Sequence, residues 1–258
     1  MLVNSVIIIL REVLEAALLV SVLLVLSQKL QLSKKWLIYA LLFGLLGATF
    51  YALNIQSVSL AFEGVGQEVV NASIHIILWL TIALFIISIR NREHSKVIYS
   101  TMISCVALAI TREGSEIIIY IQGIITIPEL TMPVIAGSII GSGIGISVGV
   151  FFYYFIDALS FQNSIRTGLF IIVLIAGGMV MQITQLLIQA DIITSQQAIW
   201  DTTLLLNERS LVGQLLYAVI GYEATPTPIQ LYAYIITLII MLSLTIRTLR
   251  CFTIREQV

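Results

Sequence analysis

Long apolar runs and short polar breaks alternate along the chain. Runs of roughly 20 residues, the length a helix needs to cross a bilayer, fall at about 4–28, 36–58, 69–89, 97–121, 132–156, 167–190 and 229–250. QKLQLSKK, SLAFEGVGQE, RNREHSK, TIPELTMP and LSFQNSIR separate the first six, and a longer polar stretch at about 191–228 precedes the seventh. Connections beyond about 12–15 residues usually carry structure or function of their own. A short amphipathic helix is expected near 203–220, within WDTTLLLNERSLVGQLLYAVI. The first run has no basic leading region and no small-residue cleavage site, so it reads as a retained helix and not a signal peptide. The pattern predicts an all-α integral membrane protein with seven transmembrane helices in one domain, residues 1–258.

Charge gives the spans a direction. Lys29, Lys34, Lys35, Arg90, Arg92, Lys96, Arg166, Arg247, Arg250 and Arg255 all fall on one side of a seven-span arrangement. By the positive-inside rule that side is cytoplasmic, which puts the N-terminus outside. Glu63, Glu68, Glu129, Asp191, Asp201, Glu208 and Glu223 fall on the other side, with Arg209 the lone base among them. Such a face concentrates cations.

Composition removes the competing classes. The chain is 59% hydrophobic and only 10% charged, against about 25% charged in soluble domains. Its mean hydropathy is +1.05. It has no basic stripe for nucleic acid. Cys105 and Cys251 are too few and too far apart for a disulfide framework or a thiolate metal site. Both read as small apolar residues.

Against that background two short stretches stand out. Arg11, Glu12 and Glu15 interrupt the first span as REVLE, and Arg112, Glu113 and Glu116 interrupt the fourth as REGSE. In each, the two glutamates share a helix face, and the arginine lies four residues before the second. The two helices run in opposite directions. Arg11 lies ~12 Å of helix rise below the outer end of its span, and Arg112 ~24 Å into its own. The two motifs therefore meet at overlapping depth. Spans 1–3 and 4–6 then form an inverted 3+3 repeat with one C-terminal helix appended, a plan that places binding sites where the repeats meet. FGLLGATFYAL in span 2 and GSGIGISVGVFFYYF in span 5 support this, each placing small residues before aromatics.

A charge at the bilayer centre costs about 2.5–3.5 kcal/mol on the insertion scale, so six cost on the order of 15–20 kcal/mol before pairing. Pairing four glutamates with two arginines leaves two negative charges uncompensated. Protonation could remove them; a bound cation does so better. Carboxylate oxygens are hard ligands, and no Cys or His cluster accompanies them to favour soft metals.

The chain resembles the high-affinity iron permeases of the oxidase-dependent iron transporter family, shared by fungi and bacteria. The resemblance rests on LREVLEAALLVS (10–21), AFEG (61–64), TREGSEIIIY (111–120) and WDTTLLLNERSLVGQLLYAVIGYEATPTP (200–228), and it covers essentially the whole chain. It implies an iron permease of the plasma membrane, the inner membrane in bacteria, and not an enzyme. Glu12, Glu15, Glu113 and Glu116 would be iron ligands, and Arg11 and Arg112 their charge partners. Glu63 and Asp201 would belong to an outer acidic approach path, with Glu68 beside them; from the residues alone Glu63 and Glu68 read equally as solvated loop acids. The cargo would be Fe³⁺ delivered by an external oxidase or iron-donor protein, with no cofactor beyond the transported ion and membrane lipid as the surroundings. Fungal members carry further acidic motifs that couple them to a ferroxidase. The tail RCFTIREQV has none, so the bacterial type is nearer.

A permease for another cation (Fe²⁺, Pb²⁺ or Mn²⁺) would use the same carboxylates. An intramembrane carboxylate-metal enzyme would be expected to carry Glu-x-x-His, which is absent. Gly137, Gly141, Gly145 and Gly149 form a stripe that suits close helix packing, or a sliding surface. His75, near Asn71 and Ser73, reads as a hydrogen-bonded bundle residue or a pathway residue. Gln182 and Gln185, with Gln189, Met179 and Met181, give the sixth span a polar stripe suited to lining a pathway. Asp157 and His94 read as solvated at the cytoplasmic face, and Glu208 with Arg209 as an exposed pair.

Overall fold

The computed structural model describes residues 2–90, 95–208 and 210–255, with the side chains of 211 and 251–255 not described. Arg92, His94 and Arg209, and the side chains of Cys251 and Arg255, lie outside the described residues. Among the described residues there are helices and no strands. The order is α1 (Leu2–Lys29), α2 (Trp36–Leu53), α3 (Ile55–Leu60), a 3₁₀ turn (Phe62–Gly64), α4 (Gly66–Ile89), α5 (Ser95–Ile125), α6 (Pro128–Asp157), α7 (Phe161–Gln189), α8 (Leu211–Ile220) and α9 (Pro228–Arg255). Among the described residues five helices, α2, α4, α6, α7 and α9, are long and apolar enough to cross a membrane by length and composition. The helices that carry the motifs, α1 and α5, have 28 and 31 residues, or ~42 and ~46 Å of rise.

Local chemistry sets several boundaries. The second run does not continue unbroken to 58. Asn54 leaves the helical region (φ −101°, ψ 9°), and its Nδ2 donates to the Phe50 carbonyl at 2.8 Å, the local competition by which Asn interrupts helices. In the 3₁₀ turn that follows α3, Phe62 and Glu63 have positive φ. The expected amphipathic helix starts later than 203. Ser210 Oγ accepts from the Gly213 amide at 3.0 Å, a side-chain N-cap, and Gly221 ends α8 at φ 68°, the left-handed stop.

Packing is reciprocal between the two halves. α1 lies parallel to α6: Gly137, Gly141, Gly145 and Gly149 face Ser5, Val6, Val13 and Ala17 in turn. α2 lies parallel to α5, with Gly44 facing Ile110, Gly47 facing Thr111 and Ala48 facing Gly114. A hydroxyl crosses each pair to a glycine carbonyl: Ser21 Oγ to Gly149 at 2.7 Å and Thr111 Oγ1 to Gly44 at 3.4 Å. The first helix of each half thus leans on the second helix of the other, as an inverted repeat requires. α1 and α5 meet antiparallel, with Ser5 Oγ 2.8 Å from Tyr120 Oη. α9 packs on α7 and α4, and Thr248 Oγ1 bonds the Ile86 carbonyl at 3.1 Å.

Below the motifs the bundle is apolar. Leu19, Val22, Ile82, Phe85, Met102 and Ile172 are among the residues that fill it. Cys105 is buried there as a small apolar residue. Ile38, Leu42, Phe50, Ile139, Phe151 and Ile239 are among many large apolar residues exposed on the outside of the bundle. That is far more than a water-soluble monomer presents. Asp157 is partly exposed, and Lys29 at the end of α1 pairs with it at 3.0 Å.

Candidate metal site

Arg112 sits one helical turn before Glu116 on α5, and only 5% of its surface is exposed. Its Nη2 lies 2.9 Å from Glu116 Oε1, the same-helix pair the spacing predicts. Its Nη1 contacts Glu113 Oε2 at 2.5 Å and crosses to α1, 3.4 Å from Glu12 Oε2 and 3.8 Å from Glu15 Oε2. One guanidinium therefore touches all four motif carboxylates.

Arg11 is arranged differently. Its Nε lies 3.4 Å from Glu15 Oε1 and 3.8 Å from Glu12 Oε1, both on its own helix. Its Nη2 donates to Tyr217 Oη of α8 at 2.9 Å, and its Cζ stands 4.3 Å above the Tyr217 ring, a cation–π contact. The motifs are alike in sequence and unlike in their partners.

The four glutamates also divide. Carboxylate oxygens of Glu12, Glu113 and Glu116 lie within 4.8 Å of one another. Two oxygens on opposite sides of an ion at ~2.1 Å lie ~4.2 Å apart, so little closure brings these three onto one ion. Glu15 stands aside, accepting from Gln182 Nε2 at 2.8 Å as well as pairing with Arg11. Asn71 Nδ2 donates to Glu116 Oε1 at 3.4 Å, while the Asn71 side-chain oxygen accepts from Tyr51 Oη at 3.0 Å.

Above this cluster opens a cavity of about 430 Å³. Glu12, Arg112 and Glu116 form its floor, and Glu68, Gln185 and Gln189 stand toward its rim. Its walls come from the N-terminal halves of α1 and α4 and the C-terminal halves of α5 and α7, all at one end of the bundle, with Tyr217 of α8 at the side.

Other expected residues take separate places. Gln182 lines the cavity, and His75 lies deeper, 2% exposed, with Nδ1 2.9 Å from the Asn71 carbonyl. Glu63 and Asp201 are exposed and do not line the cavity. Hydrogen bonds from Thr203 hold the Asp201 carboxyl below its usual range. Glu208 is half-buried and accepts from the Ala224 amide, so it is not the exposed group expected. Beside it, burial and then the Glu208 charge push Glu223 up to about 7. Gln230 joins Glu223 Oε2 to Gln185 Oε1 at 2.8 Å each, tying the segment between α8 and α9 to the cavity wall. Tyr217 and Gln230 were not legible as site residues, since each meets the site only through the placement of α8 and α9. Asn71 did carry a signal, as an amide inside an apolar run.

No curated protein and no solved structure gives a significant match to the chain. The model of the Iron permease FTR1 family matches it over residues 2–256. The chain belongs to that family, and is a multi-pass membrane protein that transports iron.

Proposed function

We propose that the protein imports Fe³⁺ through seven spans, α1, α2, α4, α5, α6, α7 and α9, with the N-terminus and the cavity mouth outside. An external oxidase or iron-donor protein supplies the ion. The carrying observation is the cluster at the cavity floor: four carboxylates around one arginine, three of them within 4.8 Å of one another. Two arginines leave a surplus of two negative charges, and the cavity gives a cation access to them. An oxygen-only cluster suits a hard cation. Arg112 substitutes for the cation until it arrives and then yields Glu12, Glu113 and Glu116 to it, while Arg11 keeps Glu15. Inward release follows movement of one half-bundle against the other. Lys29, Lys34, Lys35 and Arg166, at the end opposite the cavity, support the orientation.

Radio-iron uptake into proteoliposomes tests this. Glu12→Ala and Glu116→Ala are expected to lose uptake, and Arg11→Ala to weaken it. Wild-type uptake by all three variants would discard the site. Competition by Fe²⁺, Pb²⁺ and Mn²⁺ in the same assay decides the ion carried.

A further inference from the structure

Beneath the carboxylate cluster lies a second, smaller void of about 20 Å³, room for a single water-sized occupant. Glu15, Glu113, His75 and Gln182 give it polar walls, and Leu19, Leu78, Ala109 and Ile175 are among the apolar residues that close it below. It is about one helical turn deeper than the cavity floor on α1, α4 and α5. Glu15 follows Glu12 down α1, His75 follows Asn71 down α4, and Glu113 precedes Glu116 on the oppositely directed α5.

Its polar groups present lone pairs. A backbone carbonyl only accepts, so the bond to Asn71 O fixes the proton of a neutral His75 ring on Nδ1 and leaves Nε2 as the basic nitrogen. That nitrogen lies on the ring edge away from its own helix backbone. Gln182 is 6% exposed and its side chain lies against His75; its Oε1 is buried with no well-aligned hydrogen-bond partner, an acceptor of the kind a cation satisfies. Gln182 lines the cavity and the void alike, and Glu113 belongs to the outer triad and to the void. Both can follow an ion from one position to the next.

We infer that Glu15, Glu113 and His75 Nε2, with Gln182 Oε1, form an inner cation position where the ion rests before the apolar seal below it opens. This rests on the outer carboxylate cluster being the receiving site. The inner set adds one imidazole nitrogen to its oxygens, which gives it a signature the outer set lacks.

The test uses the full-length protein in detergent loaded with Fe³⁺ alone, and the same protein in liposomes for uptake. Pulsed EPR of the loaded wild type should show imidazole ¹⁴N coupling. His75→Asn keeps a donor for the Asn71 carbonyl and removes Nε2, so the coupling should vanish and uptake fall by roughly tenfold or more, the scale seen when support of a metal site is removed. His75→Gln returns an oxygen to the place of Nε2 and should recover part of that uptake. His94→Gln, the other histidine, should leave both readouts unchanged. Absence of ¹⁴N coupling in the wild type, or His75→Asn uptake within about twofold of wild type, overturns the inner position. If Glu116→Ala abolishes uptake while His75→Asn does not, the inner position alone falls. If Glu116→Ala also transports normally, the outer reading falls with it.

Discussion

Arg112 meets carboxylates of both helices, whereas Arg11 meets only those of its own helix and a tyrosine from α8. The side chain of Arg112 is 6% exposed and that of Arg11 32%, so the same substitution has unequal consequences. Removing one member of a buried charge cluster costs about 3–5 kcal/mol, because the partners remain buried and unpaired. A partly solvated pair is worth about 0–1 kcal/mol. Arg112→Ala is therefore expected to lower stability by about 3–5 kcal/mol and Arg11→Ala by roughly 1 kcal/mol, measured as denaturant midpoints in detergent. Arg112→Lys should restore little, since a single ammonium on a flexible stem cannot reproduce the planar fork that spans four acceptors. Equal losses for the two alanine variants would contradict the asymmetry.

At the scale of helices, close approach is what holds each half against the other, and it depends on missing side chains. A Cβ added at Gly141 would lie 2.7 Å from the Val6 carbonyl oxygen and 3.0 Å from the Leu10 nitrogen. Both are backbone atoms of α1 and cannot swing aside. A Cβ at Gly143, two residues on, would meet nothing within 4 Å. Overpacking typically costs about 1–3 kcal/mol, while alanine for glycine in an open helix position gains up to ~1 kcal/mol. Gly141→Val should thus lower the melting temperature of the detergent-solubilised protein, and Gly143→Ala hold or raise it. A neutral Gly141→Val would show that the α1–α6 seam is not tightly packed. This seam was legible as the four-residue glycine spacing of 137–149, because that repeat keeps one helix face free of side chains. The break at Asn54 and the start of α8 at Ser210 were not, since each depends on a side chain choosing a backbone partner over solvent. The pairing of Asp157 was not legible for a related reason, as its partner Lys29 lies at the end of a helix far away in sequence.

Across the whole molecule the polar and apolar volumes are stacked along one axis, with the open cavity at one end, the carboxylates at its floor, the small void below them and then an apolar core. The convergence of REVLE and REGSE was legible, because two antiparallel helices with buried charges at equal depth must bring those charges together or leave them unpaired. The unequal partners of the two arginines were not, for Tyr217 joins the site from the segment between α7 and α9, whose path no periodicity encodes. The same stacking fixes which residues water can reach from each side. Gln185 lines the cavity and is exposed, whereas Leu78 is 3% exposed beside the lower void. With Cys105 and Cys251 replaced by serine, Gln185→Cys in right-side-out vesicles should react with a membrane-impermeant thiol reagent added outside. Leu78→Cys should stay unreactive from outside, because the carboxylate cluster and Arg112 fill the passage between the cavity and the void. Added Fe³⁺ should slow labelling of Gln185→Cys by occupying the floor beneath it. Labelling of Gln185→Cys only from the opposite face would invert the orientation. Rapid outside labelling of Leu78→Cys would mean that the charged floor is no barrier, and that one continuous channel replaces the stacked chambers.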